Sequence, residues 1–119
     1  MKPNMTHIAL HVEQLDACVD FYQEYCQLRV TRERHKRGKP VIWMAEQGLE
    51  HQFVMVLLGG GTRHQQGEQD FSHLGFAVDS NAEVDRIAAE ADKKGLLVWP
   101  PVQEPYPRPC RLLLWPYRS

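Results

Sequence analysis

Two histidines sixty-six residues apart are the side chains in this sequence best suited to chemistry. His7 and His73 each open a run that alternates bulky and small residues, His7-Ile8-Ala9-Leu10-His11-Val12 and His73-Leu74-Gly75-Phe76-Ala77-Val78. An imidazole is a general acid or base near neutral pH and a common ligand for divalent metals. Two copies of the same opening suggest two similar units built around one shared cleft. The chemistry they could share is metal binding or polar contact with a small molecule. Two neutral imidazoles alone hold a metal loosely, because a catalytic divalent site draws on about three protein ligands plus an open position. His11 does not complete a set with His7. The two share a strand face, but four residues of strand separate them by roughly 13 Å at about 3.3 Å per residue. Gln52 and Glu46, together with His51, flank a later strand and are the further candidate ligands.

The elements that must position these residues follow from periodicity. Residues 7–12 read as a strand, with Ile8, Leu10 and Val12 on one face and His7, Ala9 and His11 on the other. Residues 15–26 read as a helix with an apolar stripe of Leu15, Val19, Tyr22 and Cys26. Strands are expected over 28–35, 41–46 and 53–58, separated by the turn residues Arg37-Gly38-Lys39-Pro40 and Gln47-Gly48-Leu49-Glu50. The first unit, 6–58, is therefore strand, helix, strand, strand, strand. Residues 59–70, polar and glycine-rich, read as a flexible connector.

The second unit, 71–119, opens with the strand at 73–78. Ser80-Asn81-Ala82-Glu83 fits a capping box, in which serine and glutamate each satisfy a free backbone donor of the first helical turn. Val84, Ile87, Ala88 and Ala91 form the apolar stripe of the helix that follows, and Gly95 suits its stop. Short strands are expected at 96–99 and 111–115. Adding the sixty-six-residue offset to the strand at 53–58 places its counterpart at about 119–124, so the second unit is expected to lack its last strand. Prolines 100, 101, 105, 107, 109 and 116 crowd the same region, and proline is confined to sheet edges or bulges.

These residues resemble the vicinal oxygen chelate superfamily, which includes glyoxalases, bleomycin-resistance proteins and extradiol dioxygenases. The resemblance rests on the doubled opening at 7–12 and 73–78, on Leu15-Asp16 and Phe21-Tyr22 after the first copy, and on a helix closing at Lys94-Gly95 after the second. It covers residue 6 to about residue 104. It implies an α+β fold of two βαβββ modules forming a curved mixed sheet around a cleft, commonly dimerised. It also implies a metal held by the first residue of each opening strand and an acid on each closing strand. His7 and His73 match the histidine places. The acid places are unmatched, since Phe53-Val54-Met55-Val56-Leu57-Leu58 carries no ligating side chain.

Bulk properties narrow the function further. The chain has 119 residues, 13.8 kDa and a formal net charge of -1, which fits one domain and gives no general attraction to nucleic acid or membrane. The basic cluster of Arg29, Arg32, Arg34, His35, Lys36, Arg37 and Lys39 reads as a solvated hairpin, with an anion contact as the less favoured alternative. Cys18, Cys26 and Cys110, odd in number and without a CxxC pair, read as reduced thiols in a cytoplasmic protein. No catalytic nucleophile stands out. The favoured reading is a homodimer that binds a small apolar or aromatic molecule in an inter-module cleft. His7 and His73 face that cleft, and His11, Trp43, Met55 and Trp99 are the candidate ligand contacts. The alternative is a lyase or dioxygenase that uses one divalent ion (Zn, Ni, Mn or Fe) to act on a substrate with vicinal oxygens.

Overall fold

The computed structural model describes residues 2–62, 73–96 and 111–116, the last segment as backbone alone. The chain divides into two compact units with the boundary between residues 66 and 67. The first unit runs β1 (His7–His11), α1 (Leu15–Cys26), β2 (Arg29–Lys36), β3 (Lys39–Ala45) and β4 (Val54–Leu58). This is the strand, helix, strand, strand, strand order read from periodicity. Its four strands form one sheet in the order β1-β4-β3-β2. The β1–β4 pair is parallel and the other two pairs are antiparallel, so the sheet is mixed within an α+β fold.

Register fixes which side chains share a face. Ile8 and Leu10 align with Met55 and Leu57, which in turn align with Met44 and Ile42. Met44, Met55 and Leu57 are buried, and α1, which presents buried Leu15, Cys18 and Tyr22, packs against β4. This is the core of the unit. The buried helix stripe turns through Cys18 rather than Val19, which is half-buried. Helix α1 ends without glycine. Gln27 takes a left-handed conformation (φ 55°), and its N–H and that of Leu28 both donate to the Tyr22 carbonyl.

The β2–β3 hairpin is tighter than the four-residue turn expected from sequence. Lys36 aligns with Lys39, leaving Arg37 and Gly38 as a two-residue loop with positive φ at both positions, 53° and 77°. That is the signature of a type I′ turn, whose twist matches the strands it joins. Pro40 thus lies inside β3.

The glycines after β4 are not a slack connector. Gly59 donates to the Pro40 carbonyl (2.9 Å) and Gly61 to the Val12 carbonyl (2.9 Å). A Cβ built on Gly61 would lie 2.8 Å from the His11 carbonyl carbon, so this close approach requires glycine. Of the connector expected at 59–70, residues 63–70 lie outside the described residues.

The second unit contains β5 (His73–Val78), α2 (Asn81–Lys93) and β6 (Arg111–Pro116). Ser80 caps α2, its Oγ accepting from the Glu83 N–H (3.1 Å). The other half of the expected capping box is replaced, because the Glu83 carboxylate pairs with Arg86 one turn on. At the far end Gly95 (φ 70°) donates to the Asp92 carbonyl and Leu96 to that of Ala91, a Schellman closure. Strand β5 pairs antiparallel with β6, whereas β1 pairs parallel with β4, so the described residues of the second unit do not repeat the edge pairing of the first. Leu96 is not in a strand, and the rest of the strand expected at 96–99 lies outside the described residues.

Candidate functional site

The sheet face turned away from the first unit's core carries a cavity of about 650 Å³, a size usual for small-molecule sites. Strand alternation builds its floor. Ala9 aligns with Val56 and Val56 with Trp43, while Val41 aligns with Leu58. With Val54, these six residues make an apolar floor across three neighbouring strands.

Polar groups sit at the two ends of this floor. Thr6 and His7 lie at the start of β1, next to Glu50, His51 and Gln52 from the loop that leads into β4. The Thr6 hydroxyl lies 3.0 Å from His7 Nδ1. The Glu50 carboxylate accepts from the Gly48 N–H (2.7 Å), and this bond, with further help from its own N–H and from His51 and Arg29, holds it below the usual carboxylate range. At the hairpin end stand Arg34, His35 and Lys36. The Arg32 guanidinium carbon lies 5.1 Å from the Trp43 ring centroid and that of Arg34 5.9 Å, both within cation–π range.

The residues singled out from sequence are distributed unevenly. Trp43, His7 and Gln52 line the cavity. His11 is on the same strand face, in register with Leu58, but it is not among the lining residues, and Gly61 closes against it. Met55 points to the other side. It is 6% exposed within the core, because the alternation that turns Val54 and Val56 to the cavity turns Met55 away. Glu46 is exposed and also outside the lining, its carbonyl accepting from the Leu49 N–H. His73 opens β5, exposed, in the second unit. Trp99 lies outside the described residues.

Sequence reasoning missed Arg34 and Lys36 as lining residues, because it assigned the basic hairpin to solvent. The signal was available: once the Arg37-Gly38 turn is taken as two residues, Arg34 falls opposite Val41 and Arg32 opposite Trp43.

Val54 is the ladder partner of His7, and among the described residues no three His, Cys, Asp or Glu side chains come together as a ligand set. Cys18 is buried and Cys26 half-buried, both free thiols. Burial pushes the Cys26 thiol up to about 12, so neither cysteine is a poised nucleophile.

The model of the glyoxalase/bleomycin resistance protein/dioxygenase superfamily matches residues 4–108. The chain belongs to this superfamily. An uncharacterised protein of Pseudomonas aeruginosa is 47% identical over 107 residues, covering 90% of this chain and 76% of that protein. Among solved structures, the genomically encoded fosfomycin resistance protein FosX of Listeria monocytogenes, an E126Q mutant complexed with Mn(II) and 1S,2S-dihydroxypropylphosphonic acid, superposes with a TM-score of 0.62. It is 16% identical, with 80% of this chain and 71% of that one covered. A possible glyoxalase from Bacillus cereus gives a TM-score of 0.59 at 24% identity, covering 77% and 74%. At these identities the structural likeness carries the superfamily fold and no particular chemistry. Among the described residues, no helix is long and apolar enough to cross a membrane.

Proposed function

We propose that this superfamily member binds a small apolar or aromatic molecule in the cavity on the open face of its first sheet. The observation that carries the reading is the apolar floor, which is continuous over β1, β4 and β3 and bounded by polar groups at its two ends. Desolvating a flat hydrocarbon body against Trp43, Val54 and Val56 supplies binding free energy at roughly 25 cal/mol per Å² of apolar surface removed from water. The polar ends orient the molecule. Binding without chemistry is preferred to a lyase or dioxygenase reaction because no three His, Cys, Asp or Glu side chains come together as a ligand set among the described residues.

We also propose that the protein works as a cytoplasmic homodimer. Within the four-stranded sheet β1 and β2 each have one neighbour among the described residues, and an exposed sheet edge is a ready pairing surface.

Titration with the neutral fluorophore N-phenyl-1-naphthylamine tests the binding reading. Saturable enhancement is expected with the wild type and is expected to be lost in Val56→Asp, which sets a carboxylate in the middle of the apolar floor. Unsaturable binding, or equal binding by a folded Val56→Asp protein, would overturn it. A native mass spectrum of the metal-repleted protein reports the subunit count and bound mass together. A divalent ion retained by the wild type and lost in His7→Ala would move the assignment to the metal enzyme.

A further inference from the structure

We propose that the molecule held in this cavity is a small organic anion with a flat apolar body, its charge met by Arg34 and Lys36 at the hairpin end. The proposal deepens the binding reading above and rests on it. Strand β2 carries both signs of charge, and register sorts them. Arg32 and Arg34 lie opposite Trp43 and Val41, on the cavity side of the sheet, and Lys36 follows them at the next alternate position. Glu33 lies opposite Ile42, on the core side. Alternation has thus placed three cations of β2 on one face and the acid of the same strand on the other.

Among the described residues neither Arg34 nor Lys36 has a carboxylate partner. Glu50, the one carboxylate among the described residues lining the cavity, is committed to the Gly48 N–H at the opposite end. The Arg32 and Arg34 guanidinium carbons lie 5.1 Å and 5.9 Å from the Trp43 ring centroid, so the indole holds both cations beside the apolar floor. The chain as a whole has a formal net charge of -1, so this concentration is local rather than a by-product of a basic protein. A carboxylate, sulfonate or phosphonate attached to an aromatic or aliphatic body matches both halves of the cavity. Its anionic head would accept from the Arg34 fork, and its body would lie on Trp43 and Val56.

A matched pair of probes tests this. N-phenyl-1-naphthylamine and 8-anilinonaphthalene-1-sulfonate share one aromatic skeleton and differ by the sulfonate. The sulfonate is expected to bind the wild type more tightly, with an affinity that falls as salt is added, while the neutral probe stays insensitive. Arg34→Gln is expected to weaken the sulfonate about fivefold, and Arg34→Gln/Lys36→Gln further, with the neutral probe unchanged. Arg37→Gln, which removes a charge outside the cavity lining, is expected to change neither. Equal affinity for the two probes, indifference of the sulfonate to both cavity variants, or an equal loss in Arg37→Gln overturns the anion assignment. If neither probe saturates, the binding reading itself fails.

Discussion

His7 and Val54 are register partners in the parallel β1–β4 pair, so the imidazole that opens the first strand has hydrocarbon beside it on the ladder. Its Nδ1 lies 3.0 Å from the neighbouring Thr6 hydroxyl, itself exposed. His7→Ala is therefore expected to shift unfolding free energy by less than about 0.5 kcal/mol, as an exposed substitution does. Urea melts of the two proteins check this. A stabilisation by Mn(II) or Zn(II) in the wild type that disappears in the variant would place a metal on this nitrogen.

The Gly61 contact gives a sharper mechanical test. An added methyl meets the His11 carbonyl carbon at 2.8 Å and its oxygen at 2.9 Å, and backbone atoms of a paired strand have little room to yield. Gly61→Ala is expected to destabilise by about 1–3 kcal/mol. Gly38→Ala meets nothing within 4 Å, and its strain arises from φ alone, costing about 1–2 kcal/mol. Thermal melts supplemented by Trp43 fluorescence separate the two. Gly61→Ala should disturb the β1 end of the sheet, and Gly38→Ala the hairpin.

Glu50 predicts the direction of one pH effect. Its carboxyl is held below the ordinary value of 4.5, first by the Gly48 N–H, so the charged form is favoured in the folded state. The stabilisation is present above the unfolded-state value and is lost as pH falls through the lower folded-state value. The wild type should lose more stability than Glu50→Gln as pH drops below 4.5. Denaturant midpoints measured across that window check it, and parallel curves for the two proteins would refute the assignment.

Cysteine labelling should follow burial. With the Cys26 thiol pushed up to about 12, its thiolate is scarce at neutral pH, and alkylation of Cys26 in the native protein should run at least roughly a hundredfold slower than in denaturant. Peptide mapping after a timed iodoacetamide pulse resolves Cys26 from the other thiols. Comparable native and denatured rates would mean that α1 opens readily from the sheet.

Much of the fold was legible because local signals agreed with one another. The boundaries of α1 and β5 coincide with those read from periodicity, and Ser80 does cap α2. The site was less legible, for two physical reasons. Strand phase is an all-or-none property, so without a known register Met55 and Trp43 looked equally eligible, and the structure sends one to the core and the other to the cavity. Glycine runs are also ambiguous by themselves. The composition of 59–61 reads as slack, while the backbone bonds of Gly59 and Gly61 and the contact at His11 show a segment tied to two strands. The family relationship was readable from the doubled histidine openings, because five residues of the first pattern and all six of the second form β1 and β5.

The two-residue turn at Arg37-Gly38 sets the phase of everything on β2 relative to β3. Its length decides that arginines rather than Glu33 lie beside Trp43. A slip of one residue in that pairing would exchange the faces and line the same cavity with an acid. The polarity of this binding site is thus written in a loop length as much as in side chains. A single insertion or deletion at the hairpin tip is accordingly a short mutational route by which relatives of this protein could change from anionic to cationic ligands without altering a floor residue.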